Sequence, residues 1–426
     1  MLNSIVNFLD KHMVPIASKM NRNKYLIAMR DGLIVTVPFT IFGSIFTLIC
    51  NFPFLDSLIG VEAKATLAEY LGHASTIALN LTSLIIAFTI AYNLAKKNKI
   101  DKVYGGLIGL FSFLMLIPFT KDINDAAAIG TAALGAQGMF LAIICSLSSG
   151  ALYNKIVKKG WIIKLPDEVP ENISKSFSSL IPIIISLTVF LIVRILFMFT
   201  PYGDALTFIY TILQIPLVGL GGTLGSFIIA AFLIQLLWFF GLHGGLIVCA
   251  IYDPIMMTLS QQNFDLVAAG GEPINIISKQ FYQLFFSSLG GSSSFLALAI
   301  ALVFFTKRKD MKEIGKIGMV PALFNIAEPL IFGIPTVLNP WCFIPLVLGP
   351  VITIPIAYFA IALGIVPIPA YALPGTLPPI INGVIGTGSL MGGLLQLLLI
   401  AIMFFIWLPF VKLMEKEKND ERDLEL

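Results

Sequence analysis

Long apolar runs separated by short charged loops limit what this chain can fold into. The run Leu390–Val411 has no charged residue, and a helix of about 20 apolar residues crosses a bilayer. Only 12% of the 426 residues are charged, whereas soluble domains have about 25%. Because lipid offers the backbone no hydrogen-bond partners, these runs should cross the membrane as helices. The sequence therefore predicts an all-α polytopic membrane protein.

We count ten transmembrane helices, with basic residues in alternate loops. The spans are predicted at about residues 32–52, 74–95, 103–119, 137–153, 177–199, 225–241, 246–259, 287–306, 339–363 and 390–411. In-plane amphipathic helices are predicted at Met1–Met20 and 204–220, loops at 51–70 and 261–280, and a solvated tail at 412–426. The basic clusters Lys96–Lys102, Lys155–Lys164 and Lys307–Lys316 should be cytoplasmic, and this places both termini in the cytoplasm.

Two interrupted stretches break the apolar pattern of the second half. Pro321–Pro335 contains three prolines, Asn325 and Glu328, and Pro367–Gly388 is rich in proline and glycine. An ionisable group at membrane depth costs about 2.5–3.5 kcal/mol and usually has a function. Broken backbone is tolerated there where it is buried in protein or lines a cavity. We predict two re-entrant hairpins, one presenting Glu328 to a polar substrate. The alternative is a kinked span with Glu328 at the membrane interface.

His243 and Asp253 are the other polar residues of interest in this half. His243 lies between Leu242 and two glycines, where a ring nitrogen and exposed backbone amides could meet a ligand. A capping or interfacial histidine fits this position equally well. Asp253 precedes Pro254, a pattern typical of a helix break, and we favour that interpretation over a role in a site.

The composition also excludes several classes of function. The net charge of +3 is too small for a nucleic-acid-binding protein. The four cysteines lie singly in apolar runs without metal-ligand spacing, so we expect them to pack in the core. Nucleotide-binding and zinc motifs are absent from the sequence. We therefore expect neither a metal ion nor a cofactor.

A series of ordered landmarks resembles the membrane IIC component of bacterial sugar phosphotransferase systems, in the lactose/cellobiose/diacetylchitobiose family. The landmarks are Tyr25–Gly32 with Gly43–Phe46, Val169–Pro170 with Ser176–Phe177 and Leu180–Pro182, Phe240–Gly244, and Phe324–Pro329 with Phe332–Gly333. They extend along nearly the whole chain.

The resemblance implies a homodimeric permease of the bacterial cell membrane. Residues 1–203 would form the dimer interface, 204–221 would connect the halves, and 413–426 would be a charged cytoplasmic tail. Residues 222–412 would bind the sugar and carry it across the membrane by an elevator-type motion.

The implied function is uptake of an oligosaccharide, in particular a β-linked disaccharide, coupled to its 6-phosphorylation. The phosphoryl group would come from a phosphocysteine on a separate IIB protein, which works with IIA, so this chain would be the permease part of the phosphotransferase. Glu328 would accept the sugar-hydroxyl proton, and His243 would orient the sugar or neutralise the phosphate. Further candidate sugar contacts are Gly244, Gly245, Asn325, Thr376 and Asn382.

Two positions depart from the family pattern. Ala327 precedes Glu328 where asparagine is common, and Gly375 stands where tryptophan is common. An aromatic ring gives a sugar a face to stack on, so the missing ring leaves the choice of sugar open. Two other functions also remain open on the residues alone. One is a cation-coupled sugar symporter with Glu328 as the proton carrier, and the other is a sugar-sensing membrane protein without transport.

Overall fold

We describe the fold from a computed structural model of the chain. The structure describes residues 22–50, 59–121, 125–166, 168–334, 336–337 and 339–424. The predicted surface helix at Met1–Met20 lies outside these residues.

The first half of the chain is a bundle of apolar helices. They are α1 (Lys24–Ile34), α2 (Val37–Cys50), α3 (Val61–Asn80), α4 (Thr82–Lys97), α5 (Lys102–Leu116), α6 (Thr131–Leu134), α7 (Met139–Lys158) and α8 (Glu171–Met198). Between α5 and α6, β1 (Thr120–Lys121) pairs antiparallel with β2 (Ala127–Ala128). Helices α4 and α5 pack so closely that a Cβ at Gly109 would lie 2.5 Å from the Ala87 carbonyl oxygen. Small residues at such contacts are typical of membrane helices.

The second half has more breaks. A connection of α9 (Ala205–Ile209) and α10 (Ile215–Gly221) leads into it. Its helices are α11 (Leu224–Phe239), α12 (Gly244–Ala268), α13 (Lys279–Tyr282), α14 (Phe295–Phe305), α15 (Lys309–Leu323), α16 (Glu328–Gly333), α17 (Pro340–Phe343), α18 (Gly349–Ala362), α19 (Ile381–Thr387) and α20 (Leu390–Leu424). Single π-helical turns follow α9, α13 and α17, at Tyr210–Gln214, Gln283–Ser287 and Ile344–Leu348.

Among the described residues, six helices are long and apolar enough to cross a membrane. They are Lys24–Gly43, Val61–Lys97, Ala136–Lys158, Glu171–Met198, Trp341–Ala362 and Leu390–Glu415. A seventh is possible if Ala205–Gly221 and Leu224–Phe239, bent by 74°, form one broken span. Each of the six overlaps a predicted span. The total of ten is not confirmed, since the predicted spans at 103–119 and 287–306 contain only the short helices α5 and α14.

Two predicted loops are partly helical, and there the prediction was wrong. Helix α3 covers the end of the loop predicted at 51–70, of which residues 51–58 lie outside the described residues. Helix α12 passes through Pro254 and covers 261–268 of a predicted loop, so Asp253 does not mark a break. Helix α20 continues to Leu424 through the charged tail, and the exposure of that tail to solvent stays a prediction. Pro254 removes only one backbone N–H donor from α12. A membrane helix tolerates this loss when neighbouring groups bond to the carbonyl that is left without a partner.

Two hydrophobic clusters correspond to the two halves of the chain. The buried residues of the first lie between Met29 and Leu206, and those of the second between Phe227 and Met414. Helix α12 of the second half also contacts the first, where the Thr82 hydroxyl donates to Gln261 Oε1 at 3.2 Å. This arrangement creates the space between the halves in which the candidate site lies.

Candidate sugar-binding site

A cavity of about 290 Å³ lies between the two halves of the chain. Its polar lining includes Arg30, Thr36 and Thr82 from the first half and His243, Asp253 and Lys279 from the second. Small-molecule pockets have volumes of about 300–1,000 Å³, so the cavity is just below that range. The cavity therefore combines a size suited to a small polar ligand with charged and hydroxyl side chains.

His243 lies in the lining of this cavity, at the start of α12. Its Nδ1 accepts a hydrogen bond from the backbone N–H of Leu246 at 3.2 Å, so the side chain caps the helix. The Trp238 ring lies beside the imidazole, with 4.5 Å between the ring centroids. The capping and ligand-binding interpretations of His243 are thus compatible, because the ring caps a helix and also lines the cavity.

The two glycines after His243 have different surroundings. A Cβ at Gly244 would lie 1.9 Å from the Ile234 carbonyl oxygen, so only glycine lets α11 and α12 approach here. Gly245 lines the cavity, and a Cβ there would lie 3.6 Å from the His243 ring and 3.7 Å from the Tyr282 hydroxyl. Gly245 therefore leaves open the space between two polar rings, whereas Gly244 has a packing role.

The sequence interpretation missed an ion pair in the cavity. Lys279 Nζ lies 2.5 Å from the Asp253 carboxylate, although 26 residues separate them. The same ammonium lies 4.5 Å from the centroid of the Tyr282 ring. Asp253 inside an apolar run was a signal for this pair, but its proline neighbour led us to predict a helix break instead.

Asn325 connects the two interrupted stretches of the second half. Its Nδ2 donates to the carbonyl oxygens of Gly375 and Leu377, each at 2.9 Å, and its Oδ1 accepts from the Gly290 N–H at 3.0 Å. The residue has a φ of 64°, a left-handed conformation that asparagine tolerates better than most residues. Both N–H groups of the side-chain amide thus donate to protein carbonyls, and a sugar hydroxyl could bond only to the side-chain oxygen.

The Asn325→Asp variant should lose sugar binding by about tenfold or more, because a carboxylate oxygen would face the Gly375 and Leu377 carbonyls and leave them without donors. Equilibrium sugar binding and the thermal midpoint of the purified variant would measure this. Asn23→Asp is the matched control, since Asn23 accepts from the Tyr25 N–H as an N-cap and aspartate caps equally well. Unchanged binding in Asn325→Asp would contradict a connecting role.

Of the remaining candidate residues, Thr376 and Asn382 belong to the second interrupted stretch and Glu328 to the first. Thr376 is exposed, whereas Asn382 is fully buried and donates from Nδ2 to the Leu377 carbonyl at 2.9 Å. The stretch reaches the cavity through Ala372 and Leu373. The backbone of Glu328 begins α16, and its side chain lies outside the described part of the structure. The roles assigned to these residues stay predictions.

Comparison with known proteins identifies the family. Residues 30–350 match the family described as "Phosphotransferase system, EIIC". The chain belongs to this EIIC family. A solved EIIC structure, the transporter ChbC of the N,N'-diacetylchitobiose-specific phosphotransferase system, superposes with a TM-score of 0.90 at 36% identity. The match covers 98% of this chain and 99% of that one, so the whole chain shares the EIIC fold.

Two curated EIIC relatives support the same conclusion. The oligo-beta-mannoside-specific EIIC component of Bacillus subtilis (strain 168) is 41% identical, over 96% of this chain and 93% of that protein. The cellobiose-specific EIIC component of Geobacillus stearothermophilus is 33% identical, over 99% of this chain and 96% of that protein. An EIIC component is a sugar transporter of the membrane, in agreement with the apolar helices of this chain.

Proposed function

We propose that this chain takes up a β-linked oligosaccharide and delivers it inside the cell as the 6-phosphate. The observation that carries the proposal is the cavity between the halves, where His243 and Gly245 lie beside an ion pair. The relatives and the solved neighbour are named for oligo-β-mannosides, cellobiose and diacetylchitobiose, and all of these are β-linked sugars.

In this proposal the phosphoryl group comes from the phosphocysteine of a IIB partner supplied by IIA. Glu328 accepts the proton of the attacking sugar hydroxyl, and His243 orients the sugar or neutralises the transferred phosphate. The four cysteines of this chain are buried and free, in keeping with a donor cysteine on the partner. The second half carries the sugar across the membrane against a dimer formed by residues 1–203.

The intracellular product tests the proposal. Cells or vesicles supplied with IIA, IIB and radiolabelled cellobiose or β-mannobiose should accumulate the sugar phosphate only when phospho-IIB is present. A symporter would instead accumulate unchanged sugar in proportion to the pH gradient. Unmodified sugar inside, independent of IIB, would refute group translocation by this chain.

The orientation of the loops is a separate part of the proposal. Single cysteines at Lys99, Lys164 and Asp310 should resist an impermeant thiol reagent in intact cells and react in opened membranes, because basic loops stay cytoplasmic. A cysteine at Glu62, an exposed residue of the predicted outer loop in the first turn of α3, should react in intact cells. The background lacks the four buried native cysteines. Labelling at Asp310 in intact cells would reverse the predicted orientation.

The Gly375→Trp variant should bind cellobiose several-fold more tightly, because a ring stacked on a sugar contributes about 1 kcal/mol. A Cβ at Gly375 would have no atom within 4 Å, so the first side-chain atom at this position meets no clash. Gly72→Trp, at an equally open position in α3, is the control. Equal affinities of Gly375→Trp and wild type, with both folded, would mean that no sugar face lies near this position.

A further inference from the structure

The segment that follows α12 is held against that helix by a set of polar contacts. Asn263 Oδ1 accepts from the N–H groups of Ile274 and Asn275 at 3.1 and 2.9 Å, and its Nδ2 donates to the Asn275 carbonyl at 2.8 Å. The backbone N–H of Lys279 donates to Ser260 Oγ at 2.8 Å. These contacts fix the position at which α13 begins and direct its side chains to the cavity.

Helix α13 and the π-helical turn after it supply one wall of the cavity. Lys279, Gln280, Tyr282 and Gln283 all line it. The Gln283 amide donates to the Leu373 carbonyl at 2.7 Å, so this wall is joined to the second interrupted stretch. Four polar or aromatic side chains from five consecutive residues thus face the same space.

The charges in this wall are arranged to bind uncharged polar groups. Lys279 and Asp253 neutralise each other at 2.5 Å, with 29% and 14% of their side-chain surfaces exposed. An ammonium has three N–H donors and a carboxylate has about four acceptor positions, so a pair retains capacity for further hydrogen bonds. A neutral pair that still offers both a donor and an acceptor suits two adjacent hydroxyl groups of a sugar ring.

Gln280 adds a second, independent observation. Only 6% of this residue is exposed, and within the described residues its Oε1 has no hydrogen-bond partner. A buried polar atom without a partner costs free energy, so such an atom in a cavity wall calls for an explanation. Oε1 is itself closed to water, so a rotation of the Gln280 side chain toward the cavity would be needed for a ligand hydroxyl to donate to it and remove this cost.

We propose that Asp253, Lys279 and Gln280 form a hydroxyl-binding cluster that recognises a vicinal diol of the sugar. Asp253 accepts from one hydroxyl, Lys279 donates to its neighbour, and Gln280 Oε1 accepts from a further hydroxyl once its side chain has turned toward the cavity. The cluster determines specificity and takes no part in phosphoryl transfer. The inference rests on the proposed function, because it assigns the residues that select its sugar.

Monodeoxy analogues of the sugar provide the test. The purified full chain is titrated with cellobiose, β-mannobiose and the monodeoxy forms of the one that binds more tightly. The Asp253→Asn/Lys279→Gln double variant should bind the parent sugar about tenfold or more weakly, because charge-assisted hydrogen bonds are lost. Gln280→Met, which keeps the side-chain length, should lose several-fold.

The decisive result is whether the loss of affinity caused by removing a sugar hydroxyl depends on the presence of the Asp253–Lys279 pair. In wild type, removing a hydroxyl that contacts the cluster should weaken binding, whereas the same deoxy analogue should lose little further affinity in the double variant. A purely structural ion pair would lower the affinity of all analogues equally. The neutral double variant avoids leaving one buried charge alone, so it tests binding without the folding defect of a single substitution.

The design includes a matched control variant, and it distinguishes failure of the hydroxyl-binding cluster from failure of the proposed function. Glu171→Gln/Lys175→Gln removes a pair of the same 2.5 Å length on the exposed face of α8 and should leave every affinity unchanged. If wild type binds neither disaccharide, the proposed function fails. If wild type binds and phosphorylates a disaccharide while no analogue couples to Asp253, Lys279 or Gln280, only the hydroxyl-binding cluster is refuted.

Discussion

Glu328→Gln should retain most sugar binding and lose IIB-dependent phosphorylation by about 10²–10⁴-fold, the usual contribution of a general base. Glutamine keeps the shape of the side chain and most of its hydrogen-bonding capacity. It cannot take the proton of the sugar hydroxyl as that oxygen attacks the phosphoryl group. The substitution therefore separates binding from chemistry.

The measurement for Glu328 compares two quantities in one preparation. Sugar affinity is determined on the purified variant, and sugar phosphate formation is measured in vesicles with IIA and IIB. Glu313→Gln is a suitable control, because Glu313 pairs with Lys316 on the exposed surface of α15. Wild-type phosphorylation by Glu328→Gln would remove this residue from the chemistry. Loss of pH-gradient-driven accumulation with intact sugar exchange would support the symporter instead.

Substitution of His243 should weaken both sugar binding and phosphorylation, because in the proposed mechanism this side chain orients the sugar or neutralises the transferred phosphate. The structure complicates His243→Ala, since this change also removes the N-cap of α12, a loss of about 1 kcal/mol in stability. His243→Asn resolves the difficulty, because asparagine is among the best N-caps and lacks the imidazole.

The comparison of the two His243 variants is the informative measurement. His243→Asn should regain thermal stability relative to His243→Ala, while both stay at least tenfold below wild type in sugar phosphate formation. If His243→Asn recovers wild-type binding and phosphorylation, the histidine is only a helix cap. If both variants fold and bind normally yet fail to phosphorylate, His243 acts on the phosphate alone.

The features that the sequence predicted are local along the chain, whereas those that it missed depend on contacts between distant residues. Apolar run length is a local property, and it predicted spans such as Glu171–Met198 and Leu390–Glu415 within a few residues of their starts or ends. His243 was found because glycines flank it. The pairing of Lys279 with Asp253 depends on the fold of the segment between them, which no local pattern reveals.

At several positions the local sequence favoured an interpretation that differs from the contacts seen in the structure. Pro254 favoured a break, yet α12 continues, and the Thr258 hydroxyl donates to the Pro254 carbonyl at 2.8 Å. Asn325 was interpreted as a hydroxyl partner because it is polar in an apolar stretch. Its three contacts with backbone groups of Gly290, Gly375 and Leu377 became visible only when those distant segments were placed beside it.

The hydrogen bond between Thr82 and Gln261 has a thermodynamic consequence for transport. Both side chains are buried in the cavity lining and belong to opposite halves of the chain. If the halves slide past each other, this bond exists in only one arrangement, so its strength biases the equilibrium between arrangements. The apparent affinity for sugar scales with the fraction of molecules in the binding-competent arrangement. If the halves move in this way, Thr82 would tune sugar uptake through a population, in addition to its place in the cavity lining.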